Sequence, residues 1–280
     1  MARLLKKRPE DQLRSMLGGY RLQSFPAIVL KARTLIRDED AANCDIGSCI
    51  SQDPGLTARV LKTVNSAGFG MRRRVDSVDQ AIALLGRVQL ESLLLAHGVG
   101  AALPKPRGGA FQAHQFWRGA ARRASVASAL AKRIHPATAG QCFTAALLQN
   151  MAVPVLASVL RDKYDDVLSA AANGDEDLGD LERGVFGWDH AEVGSWMCES
   201  WSFPDALTAA VADHHGADIP ELDAPIAVRA VALLPDMPAA NDIDRIVAYV
   251  EDGHGLDADE VRTIVEQAED DSVELARLFA

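Results

Sequence analysis

The stretch DPGLTARVLKTVNSAGFG, residues 53–70, carries the strongest local signals for the fold of this chain. Asp53 can cap a helix, and Pro54 suits the first helical position, where the N–H that proline lacks is not needed. Apolar residues then recur at four-residue spacing, at Leu56, Val60 and Val64. The pattern predicts an amphipathic helix that ends near Asn65 and is followed by a turn that fixes the next segment.

The segment VDSVDQAIALLG, residues 75–86, predicts the next helix. Ser77 and Gln80 are spaced as a capping box, and Gly86 is a typical residue for a helix end. A second, more apolar helix is expected to begin at Arg87. These two helices are predicted to pack against each other.

Helix signals continue through the rest of the chain, and strand signals are almost absent. Further helices are predicted at about 111–135, at 141–164 with a break near Pro154, after the cap Asp189, from Pro204 to Gly216, and after Pro225. The sequence therefore predicts an all-α, multi-helix fold.

Composition excludes several classes of protein. A chain of 280 residues with 48% hydrophobic and 24% charged residues is globular. Its net charge of -10 disfavours nucleic acid and anionic membranes as partners. The N-terminal segment has no apolar core of a signal peptide, and no later apolar stretch is expected to reach a membrane-spanning length. We therefore expect a cytoplasmic protein.

The cysteines give no sign of a metal or disulfide framework. Cys44, Cys49, Cys142 and Cys198 contain no C-x-x-C pair. Neither a zinc knuckle nor a disulfide scaffold is expected from this spacing, and buried free thiols suit the cytoplasm.

The segment LPKPRGG, residues 103–109, has the composition of an exposed connection. It divides the chain into predicted parts: a lead segment 1–20, an N-terminal helical half 21–103, a connection 104–110, a second helical half 111–220, and an acidic helical extension 221–280.

Several motifs, taken in order, resemble the HDOD family, the HD-related output domains of bacterial signalling. They are Phe25-Pro26, the two segments 53–70 and 75–86, Phe116-Trp117, FGWDHAEVG at 186–194, Trp201, and His214-His215. The resemblance covers about residues 22–216. It implies a helical bundle of the HD superfamily, with an N-terminal helical subdomain and a C-terminal helical extension.

The resemblance also implies that the metal ligands of the HD superfamily have been lost. The first histidine of that ligand set falls at Gly119, and the His-Asp doublet falls at Gln149-Asn150. Active HD enzymes use such ligands to hold the ion that activates water. Without them, we expect no catalytic residue, no metal and no cofactor.

Three histidines remain as relic candidates: His190, His214 and His215. Adjacent residues at the end of a helix point about 100° apart, so His214 and His215 are seldom expected to face one metal together, although one of them could pair with His190. A helix C-terminus and ordinary packing give them structural roles instead. Gln149 and Asn150 are expected to satisfy each other and nearby backbone groups.

Arg72, Arg73 and Arg74 form the one conspicuous basic cluster and are candidates for binding a phosphate or an acidic partner. A solvated charge run is the simpler interpretation of the same residues. Trp117, Trp188, Trp196 and Trp201 are expected to be core residues.

The favoured hypothesis is a noncatalytic bacterial regulatory module that acts through protein–protein interaction with other signalling proteins. Two alternatives are a nucleotide or nucleic-acid sensor that uses the arginine cluster, and a residual metal-dependent phosphohydrolase. A homo-oligomer also stays open. The sequence identifies neither the partner nor the input signal.

Overall fold

The computed structural model describes residues 14, 17–66, 69, 71, 73–106, 108–173, 176–215, 225–235, 241–254 and 256–279. These residues form helices and connecting turns, and no strand occurs among them. The prediction of an all-α fold is confirmed.

The helices are numbered in chain order. They are α1 (Ala27–Arg37), α2 (Asn43–Ser51), α3 (Pro54–Val64), α4 (Val78–Leu85), α5 (Arg87–Ala102), α6 (Ala113–Ile134), α7 (Ala139–Leu148), α8 (Val153–Leu160), α9 (Asp162–Asn173), α10 (Leu178–Phe186), α11 (His190–Ser200), α12 (Asp205–Ala212), α13 (Ile226–Ala232), α14 (Asp242–His254) and α15 (Ala258–Ala276). A short 3-10 turn, Pro136–Thr138, precedes α7.

The N-caps of the early helices form as the sequence predicts, but the predicted capping box does not close, because the Gln80 side chain accepts from the Asp76 amide at 2.9 Å and not from the Ser77 amide. The Asp53 side chain accepts a hydrogen bond from the Leu56 amide at 2.9 Å, and Ser77 accepts one from Gln80 at 3.2 Å. Asn65 then holds the turn closed, because its side chain pairs with both the N–H and the carbonyl of Val75, at 2.7 and 2.8 Å. The structural role predicted for Asn65 is confirmed.

The chain divides into two compact units. Unit 1 comprises residues 1–24, 103–113 and 149–224, and unit 2 comprises 25–102, 114–148 and 225–280. Within unit 2, α7 packs against α5, and α13 packs against α7. Because of these helix contacts, residues 225–280 group with the N-terminal helices. The boundaries of the two units therefore differ from the predicted ranges 21–103, 111–220 and 221–280.

In unit 1, α8 contacts α9, α9 contacts α10, α10 contacts α11, and α11 contacts α12. The predicted connection belongs to this unit, where the Ala110 amide donates to Asp165 on α9 at 2.9 Å. A close approach also joins α11 and α12, since a Cβ on Gly194 would lie 2.9 Å from Val211. These contacts set the positions of the residues between α10 and the end of α12.

One stretch, Pro136–Leu160, is long and apolar enough to pass for a membrane span by length and composition, contrary to the expectation from sequence. However, 78% of its most apolar window is buried inside the protein. Buried core helices pass the same test, so this stretch is weak evidence for a membrane segment.

Candidate functional site

The site is built around Glu182, a glutamate of α10 that is completely buried. The helix ends at Phe186 and is followed by Gly187, whose left-handed backbone (φ 79°) suits glycine, and α11 begins at His190 with Asp189 as its N-cap. This tight reversal places the first residue of α11, His190, beside Glu182. The Tyr164 hydroxyl on α9 donates a hydrogen bond to one carboxylate oxygen of Glu182, Oε1.

Glu182 orients His190 through two contacts. Its Oε2 atom accepts a hydrogen bond from the His190 backbone N–H at 2.6 Å and lies 2.7 Å from Nδ1 of the ring. The Nδ1–H therefore points at the carboxylate, and the opposite nitrogen, Nε2, points away from it. His190 is itself buried.

His214 and His215 both approach His190, contrary to the expectation from sequence. Nε2 of His190 lies 3.3 Å from Nε2 of His214 and 3.0 Å from Nε2 of His215. The expectation was wrong because α12 ends at Ala212, so the two histidines lie in the turn that follows the helix. The 100° rotation between helical neighbours does not apply there.

The hydrogen-bond partners assign the ring tautomers. Nδ1 of His214 lies 2.7 Å from the Val211 carbonyl, and Nδ1 of His215 lies 3.5 Å from Oδ1 of Asp177. The Val211 carbonyl is an acceptor, so Nδ1 of His214 carries a hydrogen, as Nδ1 of His190 does. The contact between His215 and Asp177 has the length of an ion pair and not of a hydrogen bond. In the neutral rings, the Nε2 atoms of His190 and His214 then turn their lone pairs towards each other.

The three histidines differ in how readily they take up a proton. Burial by itself lowers the pKa of His190, but the charge and hydrogen bond of Glu182 outweigh it, and the pKa is raised. Burial, together with the charge of His190, lowers the pKa of His215 to about 4. The cluster therefore favours one positive charge and resists a second.

Gln149 and Asn150 differ from what the sequence suggested. The side-chain oxygens of both residues, Gln149 Oε1 and Asn150 Oδ1, are buried and have no hydrogen-bond partner among the described residues. The expectation that they satisfy each other was therefore wrong. Both residues follow the end of α7, in the turn before α8, where the carbonyl of Gln149 lies against Gly194 on α11.

The other predicted site residues lie elsewhere in the chain. Gly119 is a buried residue of α6 in unit 2, where it offers no ligand atom. Arg72 lies outside the described residues. Arg73 and Arg74 are exposed, and Arg74 forms an ion pair with Asp76 at 3.1 Å. The structure therefore leaves the described arginines on the surface.

Sequence reasoning missed Glu182, Tyr164 and Asp177. A glutamate eight residues before His190 looks like any helical surface residue, because nothing local shows that it is buried. Asp177 carried a recognisable signal as the N-cap of α10, where it accepts from the Gly179 amide at 2.8 Å. Its proximity to His215 depends on the tertiary fold.

Comparison with known proteins decides the family. Residues 22–217 match the family model described as the HDOD domain. The chain belongs to the HDOD family. Its fold is therefore related to that of the HD phosphohydrolases, and the resemblance in the sequence motifs is confirmed.

A curated relative, an uncharacterized protein of Treponema pallidum (strain Nichols), is 27% identical over 195 residues, which is 69% of this chain. The match spans only 37% of that relative's length.

Solved structures share the fold of this chain over nearly its whole length. A Shewanella amazonensis SB2B protein, provisionally named a phosphohydrolase, is 22% identical with a TM-score of 0.74, covering 96% of this chain and 98% of its own. An HDOD domain protein of unknown function from Geobacter sulfurreducens is 20% identical with a TM-score of 0.70, covering 97% of both chains. A Marinobacter aquaeolei VT8 protein, provisionally named a signal transduction protein, is 23% identical with a TM-score of 0.69, covering 98% of this chain and 62% of its own.

Three residues do not fit the hydrolytic metal site of the HD superfamily at the positions where the sequence resemblance places its ligands. The resemblance places Gly119 at one ligand, and the neutral amides Gln149 and Asn150 at the His-Asp doublet. An amide oxygen binds a divalent cation more weakly than a carboxylate does. No step of metal-assisted hydrolysis can be built on Gly119, Gln149 and Asn150.

Proposed function

We propose that this HDOD protein is a noncatalytic regulatory module of bacterial signal transduction, which acts by binding other proteins. The observation that carries the proposal is the Gln149-Asn150 pair in place of the His-Asp doublet. Metal-dependent hydrolysis needs ligands that activate a water and polarise a phosphoryl oxygen. A fold that keeps its helices but loses these ligands keeps surfaces for binding.

The buried carboxylate nearest the histidines supports the same proposal. Both oxygens of Glu182 already accept hydrogen bonds, Oε1 from Tyr164 and Oε2 from the backbone and ring of His190. A general base must be able to reach the proton that it removes. Glu182 is occupied in holding His190 and is poorly placed for that role.

The provisional names of the neighbours point to two functions. The Marinobacter aquaeolei protein is named for signal transduction, which agrees with this proposal, and the Shewanella amazonensis protein is named for phosphohydrolysis, which is the alternative. The amides at 149 and 150 favour the first for this chain. The whole protein's partners include other signalling proteins, and self-association is a further candidate interaction.

The proposed partner surface includes Arg72, Arg73 and Arg74. Arg74 is 85% exposed and its neighbour Arg73 is exposed as well, so both are accessible to carboxylates or phosphates. Arginine binds such groups through paired hydrogen bonds. Because the net charge of the chain is -10, a local basic cluster gives an acidic partner a defined place to bind.

The test is affinity capture from native cells with three forms of the full chain. They are the parent, the triple variant Arg72→Glu, Arg73→Glu, Arg74→Glu, and a control with Lys31→Glu on α1. We expect the parent and the control to capture the same signalling proteins, and the triple variant to lose them at an unchanged melting temperature. Equal capture by all three forms would remove the arginines from the proposal. Failure of the parent to enrich any signalling protein would contradict the proposed function.

A further inference from the structure

We propose that Phe279 is a latch: its ring fills an aromatic slot in unit 2, and its release opens the slot to an aromatic side chain of a partner protein. The slot is defined by His97 and Gly100 on α5 and by Trp117 on α6. This inference goes beyond the proposed function, because it adds a second binding surface that does not involve the arginine cluster.

The ring of Phe279 is stacked against two other rings. Its centroid lies 4.7 Å from that of His97, with 10° between the planes, and 5.5 Å from that of Trp117, with 22° between the planes. Such near-parallel rings attract each other beyond the area that they bury. The indole of Trp117 is held in turn by an edge-to-face contact with Phe116, at 5.0 Å. The slot therefore suits a flat aromatic ring better than an apolar side chain without one.

Gly100 provides the space that the ring occupies. His97 and Gly100 are three residues apart on α5, so they lie on the same face of the helix. A Cβ on Gly100 would lie 3.5 Å from Cδ1 of Phe279 and 3.7 Å from Cη2 of Trp117. A methyl group would just touch both rings, and a branched side chain would take their space. The lack of a side chain at position 100 thus makes room for the latch.

The helix that carries the latch is anchored separately. α15 packs against α14, and its Glu269 accepts a hydrogen bond from Arg122 on α6 at 2.8 Å. Phe279 follows α15 in a turn, where its backbone N–H bonds to the Ala276 carbonyl of the same turn at 3.3 Å. The ring contacts therefore attach this turn to α5 and α6. A segment held by few contacts opens locally more readily than the core does, so the ring can leave while α15 stays in place.

The surfaces beneath the latch are nearly closed to solvent. His97 is 3% exposed and Trp117 is 9% exposed, whereas Phe279 itself is half-buried. Burial first, and then the charge of Arg59 on α3, lowers the pKa of His97 to about 3. Release of the latch lets water reach one face of the His97 ring. The pKa of His97 therefore reports whether the slot is closed.

A slot that is filled by its own chain binds an external ring only while the latch is open. The apparent dissociation constant is then the intrinsic constant divided by the open fraction. A latch that is open about a tenth of the time weakens external binding about tenfold. A chain that lacks the Phe279 ring should therefore bind an aromatic side chain more tightly than the parent does.

The experiment measures the binding of N-acetyl-L-phenylalaninamide to the full chain labelled with 5-fluorotryptophan. The fluorine signal of Trp117, identified by its loss in Trp117→Phe, follows the occupancy of the slot. The test variant is Phe279→Ala, and the matched control is Val273→Ala on α15, where Val273 is 55% exposed. We expect Phe279→Ala to bind this probe saturably and at least about tenfold more tightly than the parent and the control do. N-acetyl-L-leucinamide, which has no ring, should bind Phe279→Ala more weakly than the aromatic probe.

Two further measurements locate the binding site. Adding Gly100→Val to Phe279→Ala should abolish binding of the probe, because the valine side chain takes the space of the ring. An NMR titration of the His97 ring should give a higher pKa in Phe279→Ala than in the parent, and an unchanged pKa in Val273→Ala. A folded double variant that still binds the probe would place the site elsewhere and contradict the proposal.

The proposal is overturned by a folded Phe279→Ala variant that does not bind the aromatic probe, or by a parent that binds it as tightly as this variant. Equal binding of the leucine amide would also overturn it. A Phe279→Ala chain that loses its helical circular dichroism contradicts the proposal as well, because release of a latch leaves the rest of the fold intact. None of these outcomes involves the arginine cluster or turnover, so the latch and the noncatalytic function are tested separately.

Discussion

Glu182 Oε2 lies 2.7 Å from Nδ1 of His190 and 2.6 Å from the backbone nitrogen of the same residue. One buried carboxylate thus fixes both the start of α11 and the orientation of its first side chain. The contact leaves Nε2 of His190 facing His214 and His215. The geometry of the histidine cluster therefore depends on a glutamate from another helix.

Replacing Glu182 with Gln should lower the pKa of His190. Burial alone lowers this pKa, and the charge of Glu182, together with its hydrogen bond, raises it. The amide oxygen can still face His190 while its NH₂ group faces the Tyr164 hydroxyl, so the fold should persist. An NMR titration of the His190 ring measures the change. Asp180→Asn is the matched control on the same helix, since Asp180 is 64% exposed and pairs with Arg183 at the surface. Equal pKa shifts in both variants would refute the supporting role of Glu182.

Replacing Gly194 with Ala should destabilise the protein by about 1–3 kcal/mol, because the new methyl group would lie 2.9 Å from Val211 and push α11 from α12. Gly184→Ala provides a control of opposite sign. Gly184 lies exposed within α10, and no atom would lie within 4 Å of an added Cβ. Alanine at this position should therefore raise the free energy of unfolding by about 0.5–1 kcal/mol. Urea unfolding measures both. If Gly194→Ala leaves the free energy of unfolding unchanged, α11 and α12 pack less closely than in the structure.

Replacing Arg122 with Ala should cost about 3–5 kcal/mol, since Arg122 on α6 pairs with Asp242 on α14 at 2.9 Å and this carboxylate is buried. Arg122 also donates to Glu269 on α15 at 2.8 Å. The matched control is Arg133→Ala, on the same helix, whose ion pair with Glu260 is exposed and should have little effect. Comparable melting temperatures for the two variants would contradict the buried network.

His97 should make stability fall as the pH falls below about 6.5. Burial first, and then the charge of Arg59, lowers its pKa to about 3. Thr63 donates its hydroxyl to the Arg59 carbonyl at 2.9 Å, so it accepts from Nε2 of His97 at 3.0 Å, and the neutral ring carries its hydrogen on Nε2. Between pH 6.5 and 3, the unfolded chain binds this proton and the folded chain does not. His97 therefore lowers the free energy of unfolding by about 1.4 kcal/mol for each pH unit that the pH falls within this range.

The variant His97→Gln should lose this part of the pH dependence. Urea unfolding of the parent, of His97→Gln and of the exposed control His135→Gln, repeated between about pH 7 and pH 5, measures the slopes. The control should keep the slope of the parent. If His97→Gln keeps it as well, His97 is not held neutral in the folded chain.

Local signals in the sequence predicted much of the fold. The caps Asp53 and Ser77 act within three residues along the chain, so their hydrogen bonds follow from the sequence alone. The cluster of histidines did not, because it depends on α12 ending at Ala212 and on the turn that brings His214 and His215 back towards His190. Burial of Glu182 and of the amide oxygens of Gln149 and Asn150 is likewise a tertiary property, for which helical periodicity gives no signal.

Turnover of a phosphodiester by the purified full chain tests the central claim most directly, that this HDOD fold no longer carries out hydrolysis. Bis(p-nitrophenyl) phosphate is supplied with Mn²⁺, Fe²⁺ or Zn²⁺ in separate reactions, with His190→Ala as the blank. The account predicts that the parent and His190→Ala release nitrophenol at the same rate as the metal alone. Metal-dependent turnover by the parent that disappears in a folded His190→Ala variant would contradict it.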